Sequence, residues 1–311
     1  MKVLCTGGCG FIGSHITDLL IATGYEVVVI DNLSAGHRSN LNPQAKLYEA
    51  DITSAAAVAE VFEREQPEVV IHHAAQVDVG SSMNDPYHDA LTNIIGSVNL
   101  LQSSVQNGVR KIIYASSCAV YGLMKDEPIS EAAPVQPLSF YGLSKFIPEQ
   151  YIQMYHRQYG LGFTILRYAN VYGPRQSLHG EGGVISIFAR KAANGEAPVI
   201  YGDGHQTRDF VFVKDVARAN LLSIERGDQE VLNIGTNVKT SLNDLAGLIS
   251  AQSPGLKPPL YLEAKAGDIR FSRLDASKAG RLLGWSPLYD LRTGLGETLE
   301  FYGLLQEKGD C

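Results

Sequence analysis

Tyr141 and Lys145 stand four residues apart in Tyr141-Gly-Leu-Ser-Lys145. On a helix that spacing places both side chains on one face, so both can enter one cleft. A free tyrosine titrates near ~10 and is a poor base at neutral pH. A neighbouring ammonium favours the phenolate, and a shift of about 3 units corresponds to roughly 4 kcal/mol. Such a pair can act as a general base toward an alcohol proton. The same spacing also occurs on ordinary solvated helices, so the rest of the chain must supply a cleft and a reaction partner. Ser116-Ser117 follow the apolar run Lys111-Ile-Ile-Tyr-Ala115 and are candidates to hydrogen-bond a substrate, although serines there also serve as turn residues.

The elements that position these residues read as alternating strands and helices. Lys2-Val-Leu-Cys-Thr6 is a buried strand, followed at once by Gly7-Gly-Cys-Gly10-Phe-Ile-Gly13 and a helix over 14–23. Glycines between a strand and a helix permit a tight turn and close approach of the backbone, and the helix N-terminus receives a pyrophosphate. Glu26-Val-Val-Val-Ile30 ends at Asp31, about 20 positions past the glycine turn. An acid there binds adenosine ribose hydroxyls and repels a 2′-phosphate, which favours NAD over NADP despite Arg38 nearby. Further strands are predicted at 46–50, 68–72, 111–115 and 162–166, with helices at 54–64, 85–107 and 141–159. Asp51-Ile52 at one strand end can meet the adenine, and His73-Ala74-Ala75 leaves room for a ligand. His72 and His73 are expected to pack and not to bind metal. Pro148 should bend the 141–159 helix just after Lys145.

Six or seven strands separated by helices indicate an α/β fold with a doubly wound parallel sheet. After Gly173 the rhythm changes to short strands and helices, read as a smaller C-terminal α/β cap that binds substrate. The expected division is 1–173 for the dinucleotide and 174–311 mainly for the cap, with segments such as 210–235 returning to the sheet. A net charge of −7 gives no support for nucleic-acid binding. No apolar run approaches the ~20 residues that span a bilayer. The N-terminus enters a strand at once, so no leader is expected, and Cys5, Cys9, Cys118 and Cys311 show no metal spacing. Reduced thiols and a cytoplasmic location are the expectation. Cys118 is expected to fill space beside Ser117.

Taken together, the motifs resemble the extended short-chain dehydrogenase/reductase enzymes and, within them, nucleotide-sugar 4-epimerases. The resemblance rests on the glycine turn through His15, Asp31-Asn32-Leu33, Asp51-Ile52, His73-Ala-Ala75, Tyr114 to Gly122, Tyr141 to Lys145, Leu166 to Arg175, Gly204 to Phe210 and Lys265-Ala-Gly-Asp268. It implies a Rossmann-like sheet, NAD as a bound cofactor and a UDP-sugar as substrate. It makes Tyr141 the base, Lys145 its tuner and nicotinamide-ribose ligand, and Ser117 the partner of the sugar oxygen. The cofactor side comprises Gly7, Gly10, Phe11, Ile12, Gly13, Asp31, Asn32, Ser34, Ala35, Gly36, Asp51, Ile52, Ala74, Ala75, Asn93 and Tyr168, together with Tyr141 and Lys145. Asn170 and Arg208 would hold the diphosphate, with Lys265 where many members have arginine, and Asp268 near the uridine ribose. Four past Asp268, Ser272 falls at a position that gates the sugar 2-substituent, where a small residue admits N-acetyl sugars. The implied reaction is 4-epimerisation of UDP-glucose and UDP-galactose through a transient 4-keto sugar. A homodimer through the helices holding Asn93 and Tyr141 is implied as well. Related dehydratases and decarboxylases place an acid just after the active-site hydroxyl, whereas this chain has Cys118-Ala119. A non-catalytic sensor would usually lack the tyrosine or the lysine.

Overall fold

A computed structural model describes residues 1–123, 126–177, 183–253, 256–264 and 269–305 of the chain. Strand β1 (Lys2–Thr6) feeds through the glycine turn into α1 (Phe11–Ala22). There follow β2 (Glu26–Asp31), β3 (Lys46–Glu49), α2 (Ala55–Glu65) and β4 (Val69–His72). Two short helices, α3 (Val79–Asn84) and α4 (Pro86–Ala90), precede α5 (Gly96–Gln106) and β5 (Lys111–Ser117). The long α6 (Phe140–Tyr159) then leads to β6 (Gly162–Tyr168) and β7 (Asn170–Tyr172). Beyond lie α7 (Val184–Ala193), β8 (Val199–Tyr201), β9 (Thr207–Arg208), β10 (Phe210–Phe212), α8 (Val213–Ser223) and β11 (Glu230–Ile234). The described chain closes with β12 (Thr240–Ser241), α9 (Leu242–Gln252), β13 (Leu260–Leu262), α10 (Ser277–Leu283) and α11 (Leu291–Phe301).

Seven parallel strands form one sheet in the order β11-β6-β5-β4-β1-β2-β3. Their Val- and Ile-rich runs are buried on both faces, as a parallel sheet covered by helices requires. Alternate residues serve opposite layers: Val3, Cys5, Val27 and Val29 join one core, while Leu4, Val28 and Ile30 join the other. Helix α1 packs on α8 on one face, and α2, α5 and α6 cover the other. Strand order reverses between β1 and β4, which opens a crevice at the carboxyl edge. A third core, including Phe188, Phe210, Phe212, Leu245 and Leu299, lies beneath α7, α9 and α11.

Two elements depart from the sequence reading. The single helix expected over 85–107 is interrupted by a π turn, Leu91–Ile95, centred on Asn93. The Asn93 side chain brackets the Gln76 backbone: Oδ1 accepts the Gln76 amide at 2.8 Å, and Nδ2 donates to the Gln76 carbonyl at 2.9 Å. Side-chain bonds of this kind hold a local widening of the helix, and π turns often mark functional positions. Within 210–235, β11 lies in the main sheet while β10 pairs with β7 in a separate two-stranded sheet. Helix α6 continues through Pro148 without a break, capped by Ser139 at its start and by left-handed Gly160 at its end. No helix among the described residues is long and apolar enough to cross a membrane.

Candidate active site

The crevice has a floor of bare backbone. Gly7 has φ of +71°, and a Cβ there would stand 2.7 Å from the Ala74 amide nitrogen, so only glycine fits without movement. Gly10 caps α1 with extended backbone and no side-chain cap, leaving the amides of the first turn to an incoming acceptor. Asp31 is buried at the end of β2, where Oδ2 accepts the Cys9 amide (2.9 Å) and Oδ1 the Leu33 amide (2.8 Å). These bonds hold the 31–36 loop against the glycine turn, and the His37 amide adds a bond to the Cys9 carbonyl. Asn32 donates to Asp51 at 2.8 Å and accepts from both the amide and the hydroxyl of Ser34. Ala35 and Gly36 complete the loop; Ile52 is buried beside Asp51. Arg38 is paired with Glu49, so it does not stand as a free cation for a 2′-phosphate. A cradle that any Cβ would fill, bordered by a buried acid, fits a dinucleotide with an unmodified adenosine ribose.

On the other side of the crevice, Ser139 caps α6 through the Gly142 amide at 3.0 Å, and the Tyr141 amide donates to Ser82 of α3. A Cβ at Gly142 would sit 2.7 Å from the Ala119 carbonyl, so its absence lets the helix start close on the turn after β5. That approach sets the Ser117 hydroxyl beside the Tyr141 phenol, close enough to draw it toward ionisation. Lys145, one turn on, is buried, with Nζ 4.8 Å from the centre of the Tyr114 ring. The sequence reading has the lysine lowering the tyrosine. In the folded chain, burial pushes the Tyr141 phenol up to about 12, and Ser117 acts in the opposite direction. Burial also pushes Lys145 down to about 8, against the pull of Asp89 and Glu149. Desolvation therefore dominates at both groups.

Behind this pair runs a buried polar network. Thr6 Oγ1 accepts the amides of His73 and Ala74, which leaves its proton for His72 Nδ1 at 2.8 Å. His72 Nε2 then donates to Ser97 Oγ (2.9 Å), and Ser97 donates to the Asn93 carbonyl (2.5 Å). Asn93 Nδ2 reaches Ser144 Oγ at 2.9 Å, and Ser144 donates to the Tyr141 carbonyl at 3.1 Å. One chain of hydrogen bonds thus joins the end of β1 to the start of α6. Burial keeps His72 well below the usual imidazole range, and holds His73 at about 3. His73 stacks on Tyr168, whose hydroxyl bonds to His73 Nε2 at 2.9 Å and accepts from Asn220 at 2.8 Å. Ala75 stands part-buried past Ala74.

Toward the cap, Asn170 opens β7 and its amide donates to the Asp209 carbonyl. Arg208 on β9 donates from Nη1 to the carbonyls of Thr207 (3.0 Å) and Ile269 (2.7 Å). Ser272 is 3% exposed, and its hydroxyl lies beside the Cys118 thiol without a partner of ordinary hydrogen-bond geometry. Cys118 itself packs at the edge of the main core. Lys265 and Asp268 lie outside the described residues.

Three structural residues escaped the sequence reading. Asp209 is fully buried and accepts from the Thr236 amide and hydroxyl and from the Asn237 and Leu274 amides, which fixes the strand carrying Arg208. Its signal was an acid placed between Arg208 and an apolar run. Glu149 and Arg167 form a buried bidentate pair at 2.9 and 2.6 Å, with Ser116 donating to Glu149 at 2.5 Å. Nothing local announces that pair, whose members are 18 residues apart. No group of three or more His, Cys, Asp or Glu among the described residues is placed to hold a metal ion.

A doubly wound sheet with a bare-backbone turn at its switch point, and a serine, tyrosine and lysine across the crevice, defines an enzyme of the extended short-chain dehydrogenase/reductase type. The model of the NAD dependent epimerase/dehydratase family matches residues 3–235, and the chain belongs to that family. NAD is its cofactor. The chain is 45% identical to a putative UDP-glucose 4-epimerase of Methanocaldococcus jannaschii, over 94% of this chain and 95% of that one. The structure of a Thermotoga maritima UDP-glucose 4-epimerase with UDP-glucose superposes with a TM-score of 0.95 at 46% identity, covering 97% and 99% of the two chains. A Methanobrevibacter ruminantium UDP-N-acetylglucosamine 4-epimerase in complex with UDP-N-acetylmuramic acid gives 0.91 at 36% identity, covering 97% of each.

Proposed function

We propose that this protein is a 4-epimerase of UDP-glucose and UDP-galactose that also turns over UDP-N-acetylhexosamines. The observation that carries the reading is the close approach of the start of α6, with Tyr141 and, one turn on, Lys145, to the turn after Ser117, in a crevice where no acid follows Ser117. Bound NAD would supply a reversible hydride acceptor for carbon 4 of the sugar. The Tyr141 phenolic oxygen takes the 4-hydroxyl proton and later returns it, while Ser117 Oγ orients that sugar oxygen. Lys145 offers positive charge to the phenolate and a donor to the nicotinamide ribose. Asn170 and Arg208, together with Lys265 and Asp268, hold the nucleotide while the keto sugar turns over. Residues 1–173 serve the cofactor and 174–311 mainly the substrate, with β11 contributed back to the sheet. The apolar side chains exposed on α4 to α6, among them Tyr87, Ile95, Leu143, Tyr151 and Met154, suit a homodimer across those helices. The deciding experiment is incubation of purified protein with UDP-galactose and no added cofactor, followed by sugar analysis. UDP-glucose should accumulate to equilibrium; unchanged UDP-galactose in protein that carries NAD overturns the reading.

The cofactor assignment gives its own expectation. Acid denaturation of protein purified without added nucleotide should release NAD(H), and Asp31→Ala should narrow the preference for NAD over NADP about tenfold, the loss of roughly one charged hydrogen bond. Release of mainly NADP from the unaltered protein would refute the role of Asp31.

A further inference from the structure

Asp89, on α4, is 1% exposed, and its two oxygens have different surroundings. Oδ1 accepts from Gln76 Nε2 at 2.9 Å and from Asn93 Nδ2 at 3.2 Å. Oδ2 is buried with no donor among the described protein atoms. An isolated buried carboxylate is costly, and it persists where an opposite charge offsets the desolvation. The charged and titratable groups around Lys145 identify that opposite charge. His72 and His73, at the end of β4, are kept neutral by burial. Tyr114 on β5 offers its ring face, and burial keeps its phenol far above its usual range. Tyr141 on α6 is likewise held protonated. Glu149, one turn past Lys145 on α6, is committed to Arg167 through both oxygens. Among the described residues neither Asp89 nor Lys145 forms an ion pair; these two buried groups of opposite charge belong to one network, in which Asn93 joins the Asp89 carboxylate to Ser144, the residue before Lys145.

We propose that Asp89 is a positioning residue that keeps the Lys145 ammonium charged and, through Asn93 and Ser144, sets the start of the helix that carries Tyr141. This rests on the assignment of Tyr141 and Lys145 above. Asp89 stands first among the groups that favour the charged lysine, ahead of Glu149, while burial draws Lys145 down to about 8. Its charge also opposes the Tyr141 phenolate, so the residue works through the lysine and not by activating the tyrosine directly.

The test separates charge from shape. Asp89→Asn keeps an oxygen for Gln76 and Asn93 and replaces the unpartnered one, so it removes charge with little change of form. The full chain is labelled at lysine Cε, and the Lys145 resonance, assigned by its loss in Lys145→Arg, is followed against pH. Its midpoint should fall by about 1–2 pH units in Asp89→Asn, and the alkaline limb of kcat should move down with it. Ser144→Ala, which loosens the same network without touching charge, should lower kcat and leave both midpoints in place. Asp89→Glu, which retains the charge, should hold the midpoint near that of the unaltered protein, and it carries the test if Asp89→Asn fails to fold. A midpoint unmoved in Asp89→Asn, moved equally by Ser144→Ala, or displaced downward in Asp89→Glu overturns the proposal. Failure of the unaltered protein to epimerise would remove the reading of the reaction, while the lysine titration would still decide the role of Asp89.

Discussion

Tyr141→Phe is expected to lower kcat for UDP-galactose by at least about 100-fold, the loss typical of a positioned general acid/base, while the protein remains folded. The substitution removes one oxygen and keeps the ring. The bonds that define the helix start, from Ser139 to the Gly142 amide, from the Tyr141 amide to Ser82 and from Ser144 to the Tyr141 carbonyl, involve no phenol oxygen. Far-UV circular dichroism and the melting profile should therefore match the unaltered protein. What changes is the proton. A phenol pushed up to about 12 by burial is a strong base once ionised and a weak acid at neutral pH. It can accept the sugar proton only as far as the neighbouring positive charge of Lys145 offsets that burial. With the oxygen gone, Ser117 retains its bond from the Ala119 amide and still meets the sugar, but nothing at 141 can carry the proton. A KM close to that of the unaltered enzyme, with the loss confined to kcat, is the expected pattern for a group acting in the transition state. Near-normal turnover in a folded variant would falsify the assignment of Tyr141.

The parts of this site that the sequence showed are those written in contiguous residues. The glycine turn, the acid at the end of β2 and the Tyr–Lys spacing each express a local geometry, so periodicity and motif position were enough to find them. The seven-strand sheet followed from Val/Ile runs separated by helical stretches. The π turn at Asn93 was not readable, because it depends on Gln76, 17 residues away, and on Ser144, 51 residues away. Propensity over 85–107 favours an unbroken helix, and tertiary hydrogen bonds override it. Spacing alone also says nothing of burial. Four residues on a helix bring Tyr141 and Lys145 to one face, but burial, which spacing does not report, raises one and lowers the other. Asp89 was hidden for a related reason. In sequence it is one acid on a polar helix turn, and only the folded chain shows it buried and tied through Asn93 to Ser144, the residue before Lys145.

Ser272→Tyr is expected to lower kcat/KM for UDP-N-acetylglucosamine by about 10–100-fold more than for UDP-galactose, the range that steric overlap in a packed site produces. Ser272 lies beside Cys118, the residue after Ser117, so a side chain at 272 borders the position proposed for the sugar oxygen. The surrounding segment is tied down: the Thr207 amide bonds to the Arg270 carbonyl, the Ile129 amide to the Arg273 carbonyl, and the Leu274 amide to Asp209. A ring added at 272 therefore has little freedom to swing away with its backbone. An acetamido group on carbon 2 brings several heavy atoms into the same region, whereas a hydroxyl does not. A serine is small beside a tyrosine, and its unpartnered hydroxyl offers the amide a hydrogen bond, which would add selectivity beyond space alone. Because Ser272 is 3% exposed, the tyrosine also strains its neighbours, and the comparison is confined to variant protein whose melting profile shows a single folded state. The measured quantity is the ratio of the two kcat/KM values, from which a general loss of stability or of cofactor cancels. A ratio unchanged by the tyrosine, or an unaltered protein inert toward UDP-N-acetylglucosamine, would show that position 272 does not gate the sugar.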